Sequence, residues 1–220
     1  MGTPHGLQLV LLGPPGAGKG TQAALLIEQI AIPHISTGDI LRREAQQGTP
    51  LGLEARALMD KGQLVPDELI LRIVAERLKA SDCANGFLLD GFPRSRPQAR
   101  GLEAIVEPSD HRFIAACLDV PADVVVRRLS GRRTCRECGA MYQAELSPSK
   151  VEGICDRCGG ELYQRDDDHE EVIQARLRIY REETQPLREF YGKRDQLVTV
   201  DGTGAANEVA ERLRQALGVE

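Results

Sequence analysis

The sequence predicts an α/β fold, an open five-stranded parallel sheet with helices on both faces. Three observations support this fold class. Short apolar runs alternate with helical patterns, a glycine-rich loop follows the first run, and apolar residues recur three and four positions apart between the runs. The predicted strands are residues 8–12, 34–35, 87–89, 113–118 and 197–200. Because ligands of such sheets bind at the carboxyl ends of the strands, we look for the functional residues there.

Composition limits the classes of function that remain. The chain has 220 residues, 41% of them hydrophobic, and a net charge of −5, which fits one domain with insertions and excludes a broad nucleic-acid footprint. No apolar run approaches the ~20 residues of a membrane span. Residues 1–6 have neither the basic start nor the apolar core of a signal peptide, and Gly6 replaces the Ser or Thr of a myristoylation signal. We therefore expect a cytoplasmic protein without a membrane partner.

The first predicted strand ends in a loop suited to hold phosphate groups. Residues 13–21 read GPPGAGKGT, so Gly13-x-x-x-x-Gly18-Lys19 fits the phosphate-loop (P-loop) motif, and a helix is predicted over 21–30. The glycines let backbone N–H groups point at phosphate oxygens, the helix adds its positive dipole end, and the lysine reaches the outer phosphates. Gly20 stands where the motif asks for Ser or Thr, and the hydroxyl comes one residue later, at Thr21. This stretch predicts a nucleoside-triphosphate site.

Helices and two insertions fill the sequence between the strands. Apolar spacing predicts helices over 69–78, 124–129 and 209–217. A helical excursion follows the second strand, where Ser36 and its neighbours can cap one helix and a Pro-Leu-Gly break at 50–52 separates it from the next. The predicted organisation is a core of residues 1–35, 66–131 and 165–220, the helical excursion at 36–65, and a small β-rich insertion at 132–164.

The insertion at 132–164 carries four of the six cysteines. Two Cys-x-x-Cys pairs, separated by sixteen residues, have the spacing of a four-thiolate zinc site: Cys135, Cys138, Cys155 and Cys158. Four thiolates complete the tetrahedron of zinc and leave no open position, so the predicted metal is structural and replaces the core that so short a segment cannot build. The alternative is two disulfides, which a reducing cytoplasm disfavours.

An acid and an arginine follow the third predicted strand. Asp90 ends that strand beside the phosphate loop, where a carboxylate can hold Mg²⁺ through its waters. Arg94 comes four residues later, and a guanidinium can bind a phosphate with two parallel hydrogen bonds. This end of the sheet is therefore predicted to bind a metal–nucleotide complex.

Further arginines stand at the borders of the cysteine-rich insertion. Arg132 leads into it and Arg165 leads out of it, and on a continuous helix Arg165 and Arg176 would share one face. The acids at 166–168 suit the first turn of the helix that follows. Because a transferring phosphoryl group spreads negative charge over several oxygens, a ring of arginines beside a phosphate loop indicates phosphoryl transfer.

Five segments together resemble the adenylate kinase family in order and in spacing. They are GPPGAGKGT at 13–21, HISTGD at 34–39, LDGFPR at 89–94, GRR at 131–133 and RDDD at 165–168. Gly20, a departure from the strict motif, is what this family has, and the four-cysteine insertion resembles the zinc-ribbon lid of its long form. The resemblance implies reversible, Mg²⁺-dependent transfer from ATP to AMP, giving two ADP, by a monomer.

The resemblance also implies a role for each matching position. For the donor ATP these are Gly16, Ala17, Gly18, Lys19, Gly20, Thr21, Arg132, Met141, Tyr142 and Gly204. Family members often have a lysine at the last position, so Gly204 would act through its backbone. For the acceptor AMP they are Thr37, Arg42, Gln63, Leu64, Val65, Gly91, Phe92, Pro93, Arg94 and Gln98. Arg165 and Arg176 would clamp the phosphates between the nucleotides and complete a catalytic set with Lys19, Asp90, Arg94 and Arg132.

Two alternatives stay open at the level of the sequence. Thr37 and the Gln98 amide can offer a donor and an acceptor to an adenine edge, which favours AMP over CMP or UMP, and the donor could be GTP. The cysteine spacing alone also permits a zinc-ribbon nucleic-acid module on an ATP-driven switch. That ribbon is acidic and has only two aromatic residues, so we expect no nucleic-acid partner.

Overall fold

The computed structural model describes residues 6–219, and within this range five parallel strands form the central sheet. The strands of the chain are β1 (Leu7–Leu12), β2 (His34–Ser36), β3 (Gly86–Asp90), β4 (Arg112–Asp119), β5 (Arg132–Cys135), β6 (Met141–Gln143), β7 (Leu162–Tyr163) and β8 (Leu197–Asp201). The central sheet has the order β2-β3-β1-β4-β8. All five predicted strands are confirmed, each one or two residues longer than predicted. The signal-peptide and myristoylation predictions involve residues 1–5, outside the described range.

Helices connect the strands. They are α1 (Lys19–Ile27), α2 (Thr37–Gln46), α3 (Pro50–Met59), α4 (Asp67–Leu78), α5 (Arg96–Val106), α6 (Ala122–Ser130), α7 (Glu170–Ile179), α8 (Leu187–Gly192) and α9 (Ala206–Leu217). Hydroxyl caps start three of them, because the side chains of Ser36, Thr49 and Ser95 accept the backbone N–H three residues later in α2, α3 and α5. In the part of the chain described, no helix is both long and apolar enough to cross a membrane.

The core lies on both faces of the sheet because the side chains of a strand alternate in direction. In β1, Leu9 and Leu11 pack on the face covered by α1, α6, α7 and α9. The intervening Val10 and Leu12 pack on the opposite face, which α4, α5 and α8 cover. The sheet is therefore rigid along β1, and the loop that follows this strand starts from a fixed point.

The predicted β-rich insertion is a separate small sheet. Strand β5 pairs antiparallel with β6 on one side and with β7 on the other. Gly139 and Gly159 each follow a Cys-x-x-Cys pair with left-handed φ values of 70° and 77°, where a side chain would be strained. Each Cys-x-x-Cys pair and its glycine thus form one tight turn, a cysteine knuckle. The domain limits predicted from the sequence stay a prediction.

Two local predictions are wrong. The first helix runs from Lys19 to Ile27 instead of over 21–30, and it begins directly after Gly18, whose left-handed backbone (φ 95°) glycine adopts without steric cost. Arg165 and Arg176 do not lie on one continuous helix. Residues Asp166–Asp168 form a separate 3₁₀ turn, and the extended backbone of His169 (ψ 147°) separates this turn from α7. The three acids therefore do not occupy the first turn of α7.

Candidate active site

The loop between β1 and α1 has the shape of an anion site. Gly13, Gly16 and Gly18 have φ values of 140°, 79° and 95°, which turn the backbone around a small space at the start of α1. Lys19 Nζ donates to the carbonyl oxygens of Gly13 (2.8 Å) and Pro14 (2.9 Å). Burial lowers the pKa of Lys19 to about 8, although Asp90 opposes the shift. A phosphate would supply the anionic partner that this ammonium group requires.

Asp90 and Met141 lie against this loop at Gly20. A Cβ atom at Gly20 would be 3.2 Å from Met141 Cε and 3.4 Å from Asp90 Oδ2. The first distance is short enough that Met141 would have to move by a few tenths of an ångström, whereas the second is an ordinary contact. The Asp90 carboxylate, at the end of β3, also lies 3.7 Å from Nε2 of His34, the first residue of β2. His34 was not among the predicted site residues.

Two aspartates of the 3₁₀ turn hold three of the predicted arginines. Arg165 donates twice to Asp167, at 2.8 and 2.6 Å. Arg132 donates twice to Asp168, at 2.7 and 2.5 Å. Arg176 donates to the carbonyl oxygen of Asp167 (2.8 Å) and lies 3.2 Å from its carboxylate. The sequence predicted that Arg165 and Arg176 meet, and they do, through this carboxylate and not along one helix.

The electrostatics of this cluster are set by burial and by pairing. Burial would raise the pKa of Asp167, but Arg176 and Arg165 hold it well below its usual range. Burial lowers the pKa of Arg176 to about 10, and it also lowers the pKa values of Arg94 and Arg42. Each of these guanidinium groups therefore gains when an anion approaches, because an anion compensates part of the lost hydration.

Arg94 is fixed by its own neighbourhood at the end of β3. Its Nε donates to the Gly91 carbonyl (2.6 Å), and its backbone N–H donates to Gln98 Oε1 (2.7 Å). Thr184, in the π-helical turn Tyr180–Thr184, donates to the Arg94 carbonyl at 2.7 Å. Backbone and side chain are thus both held before any ligand binds.

Two adjoining cavities meet at Arg94. The first is lined by residues of the phosphate loop, of the loop after β3 and of α7, among them Gly13, Lys19, Pro93 and Arg176. The second is lined by residues of the helical excursion and of α5, among them Thr37, Gln63, Val65 and Gln98. Leu64, Gly91 and Arg94 line both cavities. Lys19 of the predicted donor set and four residues of the predicted acceptor set therefore lie on the two sides of one guanidinium. Pro93, which was predicted for the acceptor, lines the first cavity.

Four other residues of the predicted acceptor site differ in the contacts that hold their side chains. Thr37 Oγ1 donates to the Gly91 carbonyl (3.0 Å), and Gln98 Nε2 donates to Asp67 Oδ1 (2.7 Å). Arg42 forms an ion pair with Asp39 at the start of α2. The Phe92 side chain is fully buried in the core, so only its backbone can face a substrate.

Several donor-side features were not visible in the sequence. Arg128, in the last turn of α6, donates to the Ala17 carbonyl of the phosphate loop (3.3 Å), and only its place just before Gly131-Arg132 could have indicated it. Gly204 is exposed, with φ 96°, in a turn that Arg212 holds by donating to the carbonyl oxygens of Asp201 and Thr203, both at 2.8 Å. The Tyr142 hydroxyl lies 3.5 Å from Cys155 Sγ, and the predicted place of this residue along the nucleotide stays a prediction.

The four cysteines of the insertion form one cluster. Their sulfur atoms all lie within 4.8 Å of one another, with Cys135 Sγ 3.4 Å from Cys158 Sγ and Cys138 Sγ 3.6 Å from Cys155 Sγ. These cysteines are free thiols, so the disulfide alternative does not describe the structure. Zinc bound to four sulfurs at ~2.3 Å requires sulfur pairs roughly 3.8 Å apart, so the donor set fits this metal. A hydrogen bond from Tyr142 lowers the pKa of Cys155 to about 6, which favours the thiolate that a metal needs.

Comparison with known proteins agrees with this geometry. The family model described as adenylate kinase matches residues 11–196. The chain belongs to the adenylate kinase family. It is 54% identical to the adenylate kinase of Thermodesulfovibrio yellowstonii over 204 residues, which cover 92% of this chain and 95% of that protein. It is 52% identical to the adenylate kinase of Clostridium tetani over 213 residues (96% and 99%) and 50% identical to that of Methanocella arvoryzae over 212 residues (96% and 98%).

Membership of the adenylate kinase family confirms the fold class and the enzyme class that the motifs predicted. The chain is a nucleoside monophosphate kinase of the α/β phosphate-loop type, with nucleotides as its substrates. Adenylate kinases use Mg²⁺ with ATP, which agrees with the predicted cofactor. No finding favours the nucleic-acid alternative.

Asp168→Asn should lower the free energy of unfolding by about 3 kcal/mol. The Asp168 side chain is fully buried and pairs with Arg132 and Arg176, so the change leaves two guanidinium groups without their carboxylate. Urea unfolding at pH 7 measures the effect. The control is Asp166→Asn, whose side chain is 67% exposed and 3.9 Å from Arg56, and which should change stability by less than about 0.5 kcal/mol. Equal losses in both variants would contradict a structural role for Asp168.

Lys19→Met should remove a pH dependence of stability. The pKa of Lys19 is lowered from 10.5 to about 8 in the folded chain, so between these pH values the unfolded chain binds the proton and the folded chain does not. The free energy of unfolding of the native protein therefore rises with pH across this window. It should rise by on the order of 2 kcal/mol more than the free energy of unfolding of Lys19→Met does. Denaturant unfolding at pH 7.5 and 10 measures the difference. Lys79→Met is the control: because this side chain is 72% exposed, the native protein should gain no such stability relative to this variant. If the difference in unfolding free energy between the native protein and Lys19→Met is the same at both pH values, the prediction is wrong.

Proposed function

We propose that this adenylate kinase family member transfers the terminal phosphoryl group of Mg²⁺-bound ATP to AMP, reversibly, and releases two ADP. The observation that carries the proposal is the junction of the two cavities at Leu64, Gly91 and Arg94. A donor phosphate held by the phosphate loop and an acceptor phosphate held in the second cavity would both lie within reach of Arg94. Direct transfer needs this arrangement and no covalent enzyme intermediate.

In the proposed reaction a phosphate oxygen of AMP attacks the γ-phosphorus of ATP. The bond from that phosphorus to the β–γ bridging oxygen breaks, and the electron pair stays on the β-phosphate of the departing ADP. Residues 16–21 would hold the donor phosphates, with Arg132 and Met141 closing over them from the insertion. The position of Met141 against Gly20 supports this, because it brings the insertion onto the loop.

The arginines would stabilise the charge that moves during transfer. A guanidinium group has five N–H donors, and the paired contacts of Arg132 and Arg165 with aspartates use two of them each. The other donors remain for phosphate oxygens. The aspartates thus orient the arginines in advance, so that little reorganisation is needed when the substrates bind.

Asp90 would hold Mg²⁺ through water molecules beside the donor phosphates. Its carboxylate lies next to the phosphate loop and belongs to the strand adjacent to β1. Carboxylate oxygens and water are ligands that Mg²⁺ prefers, and the ion would neutralise charge on the phosphates. A counter-ion on Asp90 would also leave Lys19 free for the phosphates that it faces.

The hydrogen bond of Thr37 favours an acceptor nucleotide whose base carries an amino group. Its hydroxyl hydrogen is committed to the Gly91 carbonyl, so only its oxygen lone pairs remain for a ligand. These accept from the amino group of adenine, whereas the corresponding carbonyl of guanine or uracil offers no hydrogen. Gln98 keeps one N–H and one lone pair beyond its bonds to Asp67 and Arg94, which suits a ring nitrogen or the same amino group.

The four cysteines would bind one structural zinc ion in the lid. The sulfur–sulfur distances of 3.4 and 3.6 Å are close to the edge length of the tetrahedron that zinc requires, and the protein supplies all four of its ligands. The ion would stabilise the short strands β5 to β7. We further propose that this lid and the excursion at 36–65 close over the substrates and exclude water, which would otherwise accept the phosphoryl group.

A panel of nucleotides tests the acceptor and the donor. With ATP as donor, we expect kcat/KM to be highest for AMP, and Thr37→Val should raise the KM for AMP about tenfold because it removes an acceptor worth about 1.4 kcal/mol. A coupled assay with AMP, CMP, UMP and GMP, repeated with GTP as donor, measures this. Faster turnover of CMP or UMP than of AMP, or of GTP than of ATP, would reject the ATP:AMP assignment.

Arg94→Ala should lower kcat by about 10²–10³-fold, because it removes donors from both phosphates at the junction of the cavities. The matched control is Arg96→Ala two residues away, whose side chain is 55% exposed and lies 3.4 Å from Glu189. Circular dichroism should show both variants folded. If Arg94→Ala keeps the kcat of the control, the transferred group does not lie at Arg94.

A further inference from the structure

Tyr142 occupies a place between the cysteine cluster and the donor site. Its hydroxyl oxygen lies 3.5 Å from Cys155 Sγ and accepts the backbone N–H of Asp156 at 2.8 Å. The side chain is half-buried and comes from β6, the strand that also carries Met141. The hydroxyl therefore joins a strand of the lid to the second cysteine knuckle.

The chemistry of the sulfur fixes the direction of the contact with Cys155. A cysteine bound to a metal is a thiolate and has no hydrogen to donate, so the tyrosine O–H must donate to the sulfur. The lone pairs of the same oxygen accept from Asp156. With a metal bound, the hydroxyl would thus use its single hydrogen on the thiolate, while the backbone of the knuckle holds its oxygen.

We infer that Tyr142 is a positioning residue of the metal centre, which orients the Cys155 thiolate and ties the metal to the strand that presses Met141 onto the phosphate loop. The inference rests on the proposal that the four cysteines bind zinc. Groups that hydrogen-bond to metal ligands fix their orientation and tune their basicity, and their loss typically weakens metal binding 10–100-fold. Tyr142 holds such a place here.

The link to the nucleotide site follows from the alternation of side chains along β6. Met141 and Tyr142 are neighbours on this strand and therefore point to opposite faces. One face places the Tyr142 hydroxyl at Cys155, and the other places Met141 Cε 3.2 Å from a Cβ position at Gly20. When the hydroxyl bond holds β6 to the metal centre, it also holds Met141 against the donor loop.

The test compares Tyr142→Phe with Tyr163→Phe in the full-length protein. Tyr163 is the other lid tyrosine, and its ring lies 4.3 Å from the guanidinium of Arg136, so its change controls for the loss of a hydroxyl from this lid. Zinc affinity is measured by competition with a chromophoric chelator. We expect Tyr142→Phe to bind zinc 10–100-fold more weakly than the native protein, and Tyr163→Phe to bind it within about twofold.

A spectroscopic measurement separates positioning from a general loosening of the lid. With Co²⁺ in place of zinc, the sulfur-to-cobalt charge-transfer band reports on electrons of the thiolates. A hydrogen bond stabilises those electrons, so its removal in Tyr142→Phe should move the band to longer wavelength, while Tyr163→Phe leaves it in place. Unchanged affinity and an unmoved band for Tyr142→Phe would overturn the inference, as would equal changes in both variants.

Steady-state kinetics test the link to the donor site. In the zinc-loaded Tyr142→Phe protein we expect a several-fold rise in the KM for ATP with the KM for AMP unchanged, because Met141 lies against the donor loop at Gly20. Equal rises in both KM values, or none, would overturn the link. A native protein that binds no zinc would overturn both this inference and the proposed zinc site, whereas native zinc binding with unaltered Tyr142→Phe would overturn the inference alone.

Discussion

Many cations have to be held close together in one cleft before any phosphate binds, and much of the structure serves to hold them there. The cationic side chains are Lys19, Arg42, Arg94, Arg132, Arg165 and Arg176, and burial lowers the pKa of most of them. Their repulsion is offset by carboxylates from α2, β3 and the 3₁₀ turn: Asp39, Asp90, Asp167 and Asp168. These acids come from distant parts of the sequence, so the folded core is needed to assemble the cleft. The cations that remain undercompensated make it a receptor for phosphate.

The parts of the fold that follow from local rules could be predicted from the sequence. Strands buried on both faces are continuous apolar runs, so β1 and β4 were recognisable without their partners. Glycine spacing and a lysine identify a phosphate loop, and cysteine spacing identifies the cluster, because both motifs are fixed by the geometry of a ligand. The family resemblance added the roles that no local rule could provide.

The features that the sequence did not predict depend on contacts between distant residues. Acids before a helix usually face its N-terminus, but Asp167 and Asp168 turn towards Arg165 and Arg132, and this pairing outweighs the weaker attraction of a helix dipole. The contact of the Tyr142 hydroxyl with Cys155 depends on the register of β6 and has no signature in the sequence. The contact of Arg128 with Ala17 spans over a hundred residues of sequence and has no periodic signature.

The cysteine-rich insertion leaves the core and returns to it at neighbouring points. Gln164, at its end, donates to the carbonyl oxygen of Ser130, just before its start, and Arg132 pairs across the base with Asp168. To the core the whole segment is thus one long surface loop, and doubling the length of such a loop costs only about 0.6 kcal/mol in closure entropy. A change in the length of this segment therefore costs the core little stability. The arginines at its base have to stay in place while this happens.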